Sequence, residues 1–257
     1  MKRRLLLTGG LGTVGQLLQA ELRRDYHLRI TDRTAPPSGS PSGSVFAEDE
    51  LLVGDLLDPA FARACVRRSD VVIHLAANAS PTASATEARG NVVMAENVFK
   101  AAAEYKVERL VIASSVHANG LEYRDGSQGI SPLNTSRPCC PYGAGKVAIE
   151  ALAREHHEAV GGAVSCLRLG LTGWPLTEQQ YAQTWLSAAD LLRLVQAALD
   201  RPPGFGIYNA VSLDSATRWD TSNALSDLGW QPQDRWQVDV DRLPPAAACP
   251  CQMFSVP

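Results

Sequence analysis

The chain has 257 residues, of which 20% are charged and 45% hydrophobic, and its formal net charge is -3. This composition is typical of a soluble globular protein, and the weakly acidic balance does not suggest binding to nucleic acid or an anionic membrane. The length fits one large α/β domain or a domain with a small appendage.

The N-terminal stretch places basic residues 2–4 before a leucine run, as secretory signal peptides do. Glycines at 9, 10, 12 and 15 interrupt that run. No segment approaches the roughly 18 consecutive apolar residues that a membrane span requires. We therefore expect a cytoplasmic protein without membrane association.

Six cysteines are present, and their spacing matches neither a disulfide framework nor a zinc motif. We therefore expect no metal site. Cys249 and Cys251, in the tail CPC, could bind metal or oxidise, but we interpret them as incidental residues of a loose terminus.

Short apolar runs alternate with longer amphipathic ones over the first two-thirds of the chain, which is the pattern of βαβ units around a parallel sheet. Predicted strands are Arg4–Thr8, His27–Thr31, Leu51–Val53, Asp70–Leu75, Arg109–Ala113 and Ala163–Arg168. Predicted helices are Thr13–Arg24, Pro59–Arg67, Thr86–Tyr105 and Tyr142–Ala159. The alternation predicts an α/β fold with a Rossmann-type, doubly wound parallel sheet.

Two regions depart from this alternation. The Pro-, Ser- and Gly-rich segment between Ala35 and Ala47 predicts a surface loop. After Arg168 the pattern becomes irregular, with a helix over Ser187–Leu199, a strand over Gly206–Ala210 and the segment WDTSNALSDLGWQP. We predict one integrated domain, in which residues 1–168 form the sheet region with the cofactor and catalytic residues. Residues 169–257 are predicted to form a small cap over the strand ends.

A glycine-rich turn, TGGLGTVG, joins the first predicted strand to the first helix. Glycines at this place let the backbone approach a pyrophosphate, and the helix N-terminus offers free N–H groups with a partial positive charge. The predicted cofactor contacts in this turn are Gly9, Gly12, Thr13, Val14 and Gly15.

The second predicted strand runs into Asp32, about 20 residues after the glycines, where an acid can accept hydrogen bonds from ribose hydroxyls. A carboxylate here repels the extra phosphate of NADP. We predict NAD as the cofactor, and the basic neighbour Arg33 leaves NADP as the less favoured alternative.

Residues after the third and fourth strands complete the predicted cofactor site. Asp55, in GDL, could reach the adenine amino group, and capping of the next helix remains an open alternative. Small residues in HLAA would let the chain pass beneath the dinucleotide. The predicted contacts here are Asp55, Leu56, Leu75, Ala76 and Ala77.

Tyr142 and Lys146 lie four residues apart, on one face of a predicted helix. Hydride transfer to or from a carbinol carbon requires a proton to move on its oxygen, and a nearby cation lowers the pKa of a phenol. Lys146 is therefore predicted to activate Tyr142 and to hold the nicotinamide ribose. Ser115 follows the fifth strand and is predicted to orient the substrate oxygen. The predicted catalytic residues are Ser115, Tyr142 and Lys146.

Five motifs, TGGLGTVG, GDLLDP, HLAA, ASSVH and YGAGK, together resemble the extended short-chain dehydrogenases/reductases of the NAD-dependent epimerase/dehydratase family. The resemblance covers nearly the whole chain. The stretches SSVHANG, RPCCPYGAGK, TWLSAADLLRLVQAAL and TSNALSDLGWQP are similar to uronate dehydrogenases, compact enzymes of that family that oxidise the anomeric carbon of a hexuronic acid with NAD. The resemblance implies the same catalytic residues, and implies cofactor contacts at Gly9, Gly12, Gly15, Asp32, Asp55 and Leu56.

The substrate pocket follows this resemblance less well. The resemblance implies an Asn, a Ser and a carboxylate-binding Arg where this chain has Val116, Leu171 and Gln180. The pocket is therefore predicted to prefer a less charged substrate, although Arg124 or Arg137 could replace the missing Arg in space. The predicted substrate contacts are Ser80, His117, Leu171 and Gln180.

His117 and two cysteines lie close in sequence to the catalytic residues. A hydrogen bond between His117 and the backbone of a turn is the alternative to a substrate contact. Cys139 and Cys140 are predicted to line the entrance without a catalytic role.

Hydride transfer between NAD and a secondary alcohol, hemiacetal or ketone of a sugar acid or small specialised metabolite is the leading hypothesis. A sugar-nucleotide epimerase or dehydratase is the first alternative, but Val116 and His117 stand where dehydratases carry an acidic pair. A dinucleotide-sensing protein without turnover is the second, and the presence of both Tyr142 and Lys146 argues against it. We expect a small-molecule substrate and a homo-oligomer.

Overall fold

The computed structural model describes residues 2–35 and 49–245. The predicted loop between Ala35 and Ala47, together with Cys249 and Cys251, lies outside the described residues. Within the described part of the chain, no helix is both long enough and apolar enough to cross a membrane.

Seven parallel strands form one sheet in the order β3-β2-β1-β4-β5-β6-β7. The inner strands are nearly continuous apolar runs, as expected for a sheet that helices cover on both faces. The α/β, Rossmann-type sheet is therefore confirmed. The strands are β1 (Arg3–Thr8), β2 (Tyr26–Asp32), β3 (Glu50–Val53), β4 (Val71–His74), β5 (Arg109–Ser115), β6 (Ala163–Leu169) and β7 (Gly204–Ala210).

Eight α-helices and three short 3₁₀ helices occur in the described residues. Several begin at a side-chain cap: Ser84 and Glu87 form a capping box, and Asp58 and Ser187 accept backbone N–H groups at their helix starts. The α-helices are α1 (Thr13–Asp25), α2 (Pro59–Val66), α3 (Ala85–Glu104), α4 (Gly120–Arg124), α5 (Pro141–Val160), α6 (Gln179–Ala182), α7 (Ala188–Asp200) and α8 (Ser222–Leu228). The 3₁₀ helices are Val116–Asn119, Ser215–Thr217 and Val240–Arg242.

Helices cover both faces of the sheet and divide the core into two layers. Alternate residues of a strand point to opposite faces, so Leu5 and Leu7 pack with α1 and α7 while Leu6 packs with α2, α3 and α5. Helix α1 buries Leu18 and Leu22, which lie four residues apart on the face towards the sheet.

Part of the C-terminal third, predicted to form a small cap within the one domain, belongs instead to the sheet and its core. Strand β7 pairs with β6 and extends the main sheet, and α7 packs in the core beside α1. The segment WDTSNALSDLGWQP forms α8 and buries Trp219 and Trp230. The part that covers the strand ends therefore comes from the chain after β6 and after β7.

The strand order reverses between β1 and β4, because the chain winds outward from β1 to β3 and then returns to β4. A crevice forms at such a reversal, outside the carboxyl ends of the strands, and open α/β sheets bind ligands there. Thr8 and His74 are paired at this edge.

Candidate active site

The glycine-rich turn lies at this crevice and leaves no room for side chains. A Cβ on Gly9, whose φ is +64°, would lie 2.8 Å from the Cα of Ala76. A Cβ on Gly15 would lie 2.4 Å from a backbone oxygen of Gly10. Helix α1 begins after Gly12 without a side-chain cap. Among the described residues, no side chain therefore accepts from the first N–H groups of the helix, and a pyrophosphate fits such a cradle.

The predicted contacts of this turn lie together. Gly12, Thr13 and Val14 are consecutive at the start of α1, and Val14 also lines the adjacent cavity.

Asp32 ends β2 next to the turn. Its carboxylate accepts the N–H of Leu11 at 3.0 Å and the N–H of Arg33 at 2.8 Å. These two bonds fix the carboxylate beside the glycines, and a carboxylate has further lone pairs for ribose hydroxyls. The Arg33 side chain is exposed. The placement of Asp32 agrees with a dinucleotide that carries a free ribose.

Thr8 organises the carboxyl end of β4. Its hydroxyl oxygen accepts the N–H groups of Leu75 and Ala76, both at 3.2 Å, and lies 2.8 Å from Nδ1 of His74. Burial lowers the pKa of His74 to about 3, and the Lys146 ammonium adds to this effect. His74 is therefore neutral, and its Nδ1 shares a hydrogen bond with the Thr8 hydroxyl. Leu75 and Ala77 line the cavity above this network.

Asp55 and Leu56 are engaged in local structure. One Asp55 oxygen accepts the N–H of Leu57 at 2.9 Å. Asp58, rather than Asp55, caps α2, so the capping alternative for Asp55 is wrong. The side chain of Leu56 is 4% exposed and belongs to the core, which leaves only its backbone for a cofactor.

The three predicted catalytic side chains meet at the wall of one cavity. Ser115, Tyr142 and Lys146 all line this cavity, and Ser115 is close enough to Tyr142 to lower the pKa of the phenol. Lys146 Nζ donates to the Ala113 carbonyl at 2.6 Å and lies 5.6 Å from the centroid of the tyrosine ring. Ser115 Oγ also accepts the N–H of His117 at 3.2 Å. Helix α5 and the end of β5 therefore bring together an alcohol, a phenol and an ammonium.

Burial shifts both ionisable groups away from their charged forms. Desolvation raises the pKa of Tyr142 to about 12, and the nearby Ser115 hydroxyl opposes this rise. Desolvation lowers the pKa of Lys146 to about 8, although the Glu150 carboxylate opposes the fall. The expected lowering of the Tyr142 pKa by Lys146 is therefore wrong for the protein alone, because burial dominates.

A buried ion pair lies beneath the catalytic residues. Arg168 donates to both Glu150 oxygens at 2.8 Å, and Ser114 Oγ donates to Glu150 at 2.5 Å. The arginine and glutamate side chains are 1% and 4% exposed. This network links β5, α5 and β6 and fixes the helix that carries Tyr142 and Lys146.

A cavity of about 660 Å³ opens above this wall. The predicted substrate contacts His117, Leu171 and Gln180 line it, whereas Ser80 does not, although its neighbours Ala79 and Pro81 do. The Ser80 hydroxyl lies 2.7 Å from that of Thr82 in a local turn. Other lining residues are Val116, Gly120, Tyr123, Arg124, Cys139, Trp174, Thr177, Glu178, Tyr181 and Trp219.

Two further charged residues, Glu178 and Arg124, line the cavity. The sequence analysis did not identify Glu178, and it named Arg124 only as a possible replacement for the missing Arg. Glu178 is half-buried and accepts the side-chain amide of Gln180 at 2.6 Å. Arg124 is exposed at the cavity. Neither lies in a recognisable motif, because both occupy segments without regular hydrophobic periodicity.

Curated relatives are dehydrogenases of sugars and sugar derivatives. A uronate dehydrogenase of Pseudomonas syringae pv. tomato is 29% identical over 94% of this chain and 87% of its own. An NAD-dependent glucose-6-phosphate dehydrogenase of Haloferax volcanii is 30% identical, over 91% of this chain and 94% of its own. An L-arabinose 1-dehydrogenase of the same organism is 27% identical, over 93% of this chain and 99% of its own.

The fold comparison agrees with these relatives. The structure of a mutated uronate dehydrogenase has a TM-score of 0.82 at 28% identity and covers 91% of this chain and 83% of its own. The model of the NAD dependent epimerase/dehydratase family matches residues 5–173. The predicted likeness to uronate dehydrogenases, the enzyme class and NAD as cofactor are thereby confirmed. The family model agrees with the strand reversal of the sheet and with the glycine cradle. The chain therefore belongs to the NAD-dependent epimerase/dehydratase family.

Proposed function

We propose that this protein oxidises the hemiacetal carbon of an uncharged sugar, with NAD as the hydride acceptor. The observation that carries the proposal is the position of Ser115 and Tyr142 together in the wall of the cavity, with Lys146 beside the tyrosine ring. Two hydroxyl groups held in this way can orient one substrate oxygen and accept its proton.

The residues of the crevice suit a dinucleotide. NAD, when bound, supplies the hydride acceptor. The first N–H groups of α1 would hold its pyrophosphate, because no side chain in the described part of the chain caps the helix there. Asp32 would accept hydrogen bonds from a ribose and would disfavour a phosphate at the same place.

Proton transfer falls to the chain's own residues. Ser115 orients the substrate hydroxyl, and Tyr142 accepts its proton. Tyr142 must be a phenolate to accept this proton. The Lys146 ammonium, held by the Ala113 carbonyl at 2.6 Å, stabilises the phenolate. Because burial raises the pKa of Tyr142 to about 12, this positive charge must offset a desolvation penalty.

The charge of the pocket favours an uncharged sugar. Gln180, at the position where the resemblance implies a carboxylate-binding Arg, donates its amide to Glu178 at 2.6 Å. The pocket wall therefore presents a carboxylate instead of a cation. Two carboxylates about 5.5 Å apart repel each other by about 3 kcal/mol at an effective dielectric constant of about 20. A uronate bound near Glu178 would meet this repulsion.

Nearby basic residues do not fully compensate for the missing carboxylate-binding Arg. Arg137, one of the two suggested replacements, forms an ion pair with Asp125 at 2.8 Å and does not line the cavity. Arg124 does line the cavity but is exposed, so water screens its charge more than that of the half-buried Glu178. The relatives are named for charged and for uncharged sugars, namely glucose 6-phosphate and L-arabinose.

Assays of the full chain with NAD test the proposal. We expect turnover of neutral aldoses such as L-arabinose and D-galactose, with weaker turnover of glucuronate and galacturonate. Glu178→Gln should raise kcat/KM for the uronates at least tenfold and leave the neutral sugars unchanged. Glu155→Gln removes the same charge from the exposed face of α5 and should change neither value.

A wild-type kcat/KM for a uronate of order 10⁴ M⁻¹s⁻¹ or more, in the usual range for a native substrate, would refute the preference for uncharged sugars. A high rate with glucose 6-phosphate that Arg124→Gln abolishes would instead show that Arg124 binds an anionic group. Absence of turnover with every sugar, together with normal NAD binding, would overturn the proposed reaction itself.

A further inference from the structure

We propose that His117, Cys139 and Cys140 form a binding site for a thiophilic divalent cation, Zn²⁺, in the wall of the cavity. The ligand atoms of the three residues lie within 4.8 Å of one another. Nδ1 of His117 is 3.3 Å from Sγ of Cys139 and 3.6 Å from Sγ of Cys140, and the two sulfur atoms are 4.0 Å apart.

These distances are those of three corners of a zinc tetrahedron. Bonds of about 2.3 Å to sulfur and about 2.0 Å to nitrogen, at tetrahedral angles, separate two sulfurs by about 3.8 Å and a sulfur from a nitrogen by about 3.5 Å. Each observed separation differs from its ideal value by only a few tenths of an ångström. The ligands therefore need little movement to receive the ion.

The local fold builds this arrangement. A Cβ on Gly120 would lie 2.3 Å from the Cys139 sulfur, and a Cβ on Gly143 would lie 2.4 Å from the His117 carbonyl oxygen. Both glycines thus make room for the cluster. The N–H of Gly143 donates to Cys140 Sγ at 3.4 Å, at the start of helix α5. Helix N-termini favour the thiolate, which is the form of cysteine that binds a metal.

The chemistry of the ligand set selects the ion. Two sulfurs and one imidazole suit Zn²⁺, whereas Mg²⁺ and Ca²⁺ prefer oxygen ligands. His117 and Cys139 line the cavity, so solvent can deliver the ion and can supply a fourth ligand. The His117 ring also packs edge-on against Tyr142, with the centroids 5.7 Å apart. The site therefore adjoins the catalytic wall, but its existence does not depend on the proposed activity.

Spacing along the chain did not reveal this cluster. His117 precedes the two cysteines by more than 20 residues, which matches no zinc motif. The expectation of no metal site rested on that spacing alone. The fold closes the gap, because the 3₁₀ helix that carries His117 packs against the start of α5.

Cobalt titration of the full chain, kept reduced, tests the proposal. We expect one equivalent of Co²⁺ to give thiolate-to-cobalt charge-transfer absorption and tetrahedral d–d bands, and one equivalent of Zn²⁺ to displace it. Mg²⁺ should not compete. A background with Cys249→Ser and Cys251→Ser should keep the signal, which separates this site from the cysteines of the tail.

Cys139→Ser and His117→Ala should each weaken cobalt and zinc binding at least about 100-fold, whereas Cys65→Ala, a buried cysteine elsewhere in the core, should leave it unchanged. Circular dichroism of each variant shows whether it folds. Absence of the thiolate-to-cobalt band in the folded wild-type chain would overturn the proposal. Loss of the band when Cys249 and Cys251 are replaced by Ser would also overturn it. So would survival of the band in both folded variants of the site, Cys139→Ser and His117→Ala.

Discussion

Replacing the catalytic lysine should make the protein more stable at neutral pH. Lys146 is 3% exposed, and burial lowers its pKa to about 8 from the ordinary 10.5. A shift of one pKa unit corresponds to about 1.4 kcal/mol, so keeping this lysine charged in the folded state costs about 3 kcal/mol at pH 7. Lys146→Met keeps an unbranched apolar chain and removes that cost.

The same shift predicts how the effect depends on pH. The folded protein releases the Lys146 proton near pH 8, whereas the unfolded chain keeps it until about pH 10.4. The cost of burying the charged lysine is therefore complete below pH 8. It is relieved as the pH rises from there towards the pKa of the lysine in the unfolded chain. At pH 10 about 1 kcal/mol of it remains.

One interaction acts in the opposite direction. Lys146→Met also removes the 2.6 Å hydrogen bond to the Ala113 carbonyl, which contributes about 1 kcal/mol. We therefore expect the variant to gain about 2 kcal/mol in its free energy of unfolding at pH 7 and to have no gain at pH 10. Its oxidoreductase activity should be lost.

Urea unfolding of wild type and variant at both pH values measures this difference. Lys100→Met is the matched control, because Lys100 is exposed and pairs with Glu96 on the surface of α3. It should change stability by less than about 0.5 kcal/mol at either pH. A Lys146→Met variant that is less stable than wild type at pH 7, or a gap that widens as the pH rises, would refute the reasoning.

Three further predictions concern the site and its support. Tyr142→Phe should lower kcat at least about 100-fold while NAD affinity stays within about threefold, measured by steady-state kinetics and cofactor titration, and retention of most of kcat would refute its acid–base role. Asp32→Ser should weaken NAD binding and narrow the preference for NAD over NADP; tighter NADP binding by the wild type would contradict this. Glu150→Gln should cost about 3 kcal/mol of unfolding free energy, because it leaves the Arg168 charge buried without its partner. Glu96→Gln, at an exposed pair, should cost less than about 0.5 kcal/mol, and equal losses would show that burial of the first pair is unimportant.

The sequence predicted most of the sheet because its buried parallel strands are short apolar runs. Strands β1 to β6 lie within two residues of their predicted limits. Strand β7 was assigned to a cap, because its membership of the sheet depends on pairing with β6, as between Ala163 and Gly204, which no local pattern encodes. The cytoplasmic location and the homo-oligomer stay predictions.

The candidate site was only partly predictable for a related reason. Residues that follow strands or share a helix face, such as Tyr142 and Lys146, were placed correctly by spacing. The direction of the Tyr142 pKa shift was not, because the degree of burial does not follow from spacing. Glu178 reaches the cavity from an irregular segment after β6, where sequence offers no periodic pattern.

The end of β5 explains why two motifs distant in sequence act together. Two successive residues bond to α5, since the Ala113 carbonyl accepts from Lys146 and the Ser114 hydroxyl donates to Glu150, while Ser115 lines the cavity together with Tyr142. Their helix partners recur every four residues, which is one turn. A shift of β5 by one residue would break both hydrogen bonds and would move the Ser114 side chain to the face of the sheet opposite α5. The second serine of the motif ASSVH is therefore the one suited to orient substrate, while the first anchors the buried ion pair that holds the helix. Catalytic geometry and stability thus depend on the same register, and a variant that disturbs Ser114 should change both.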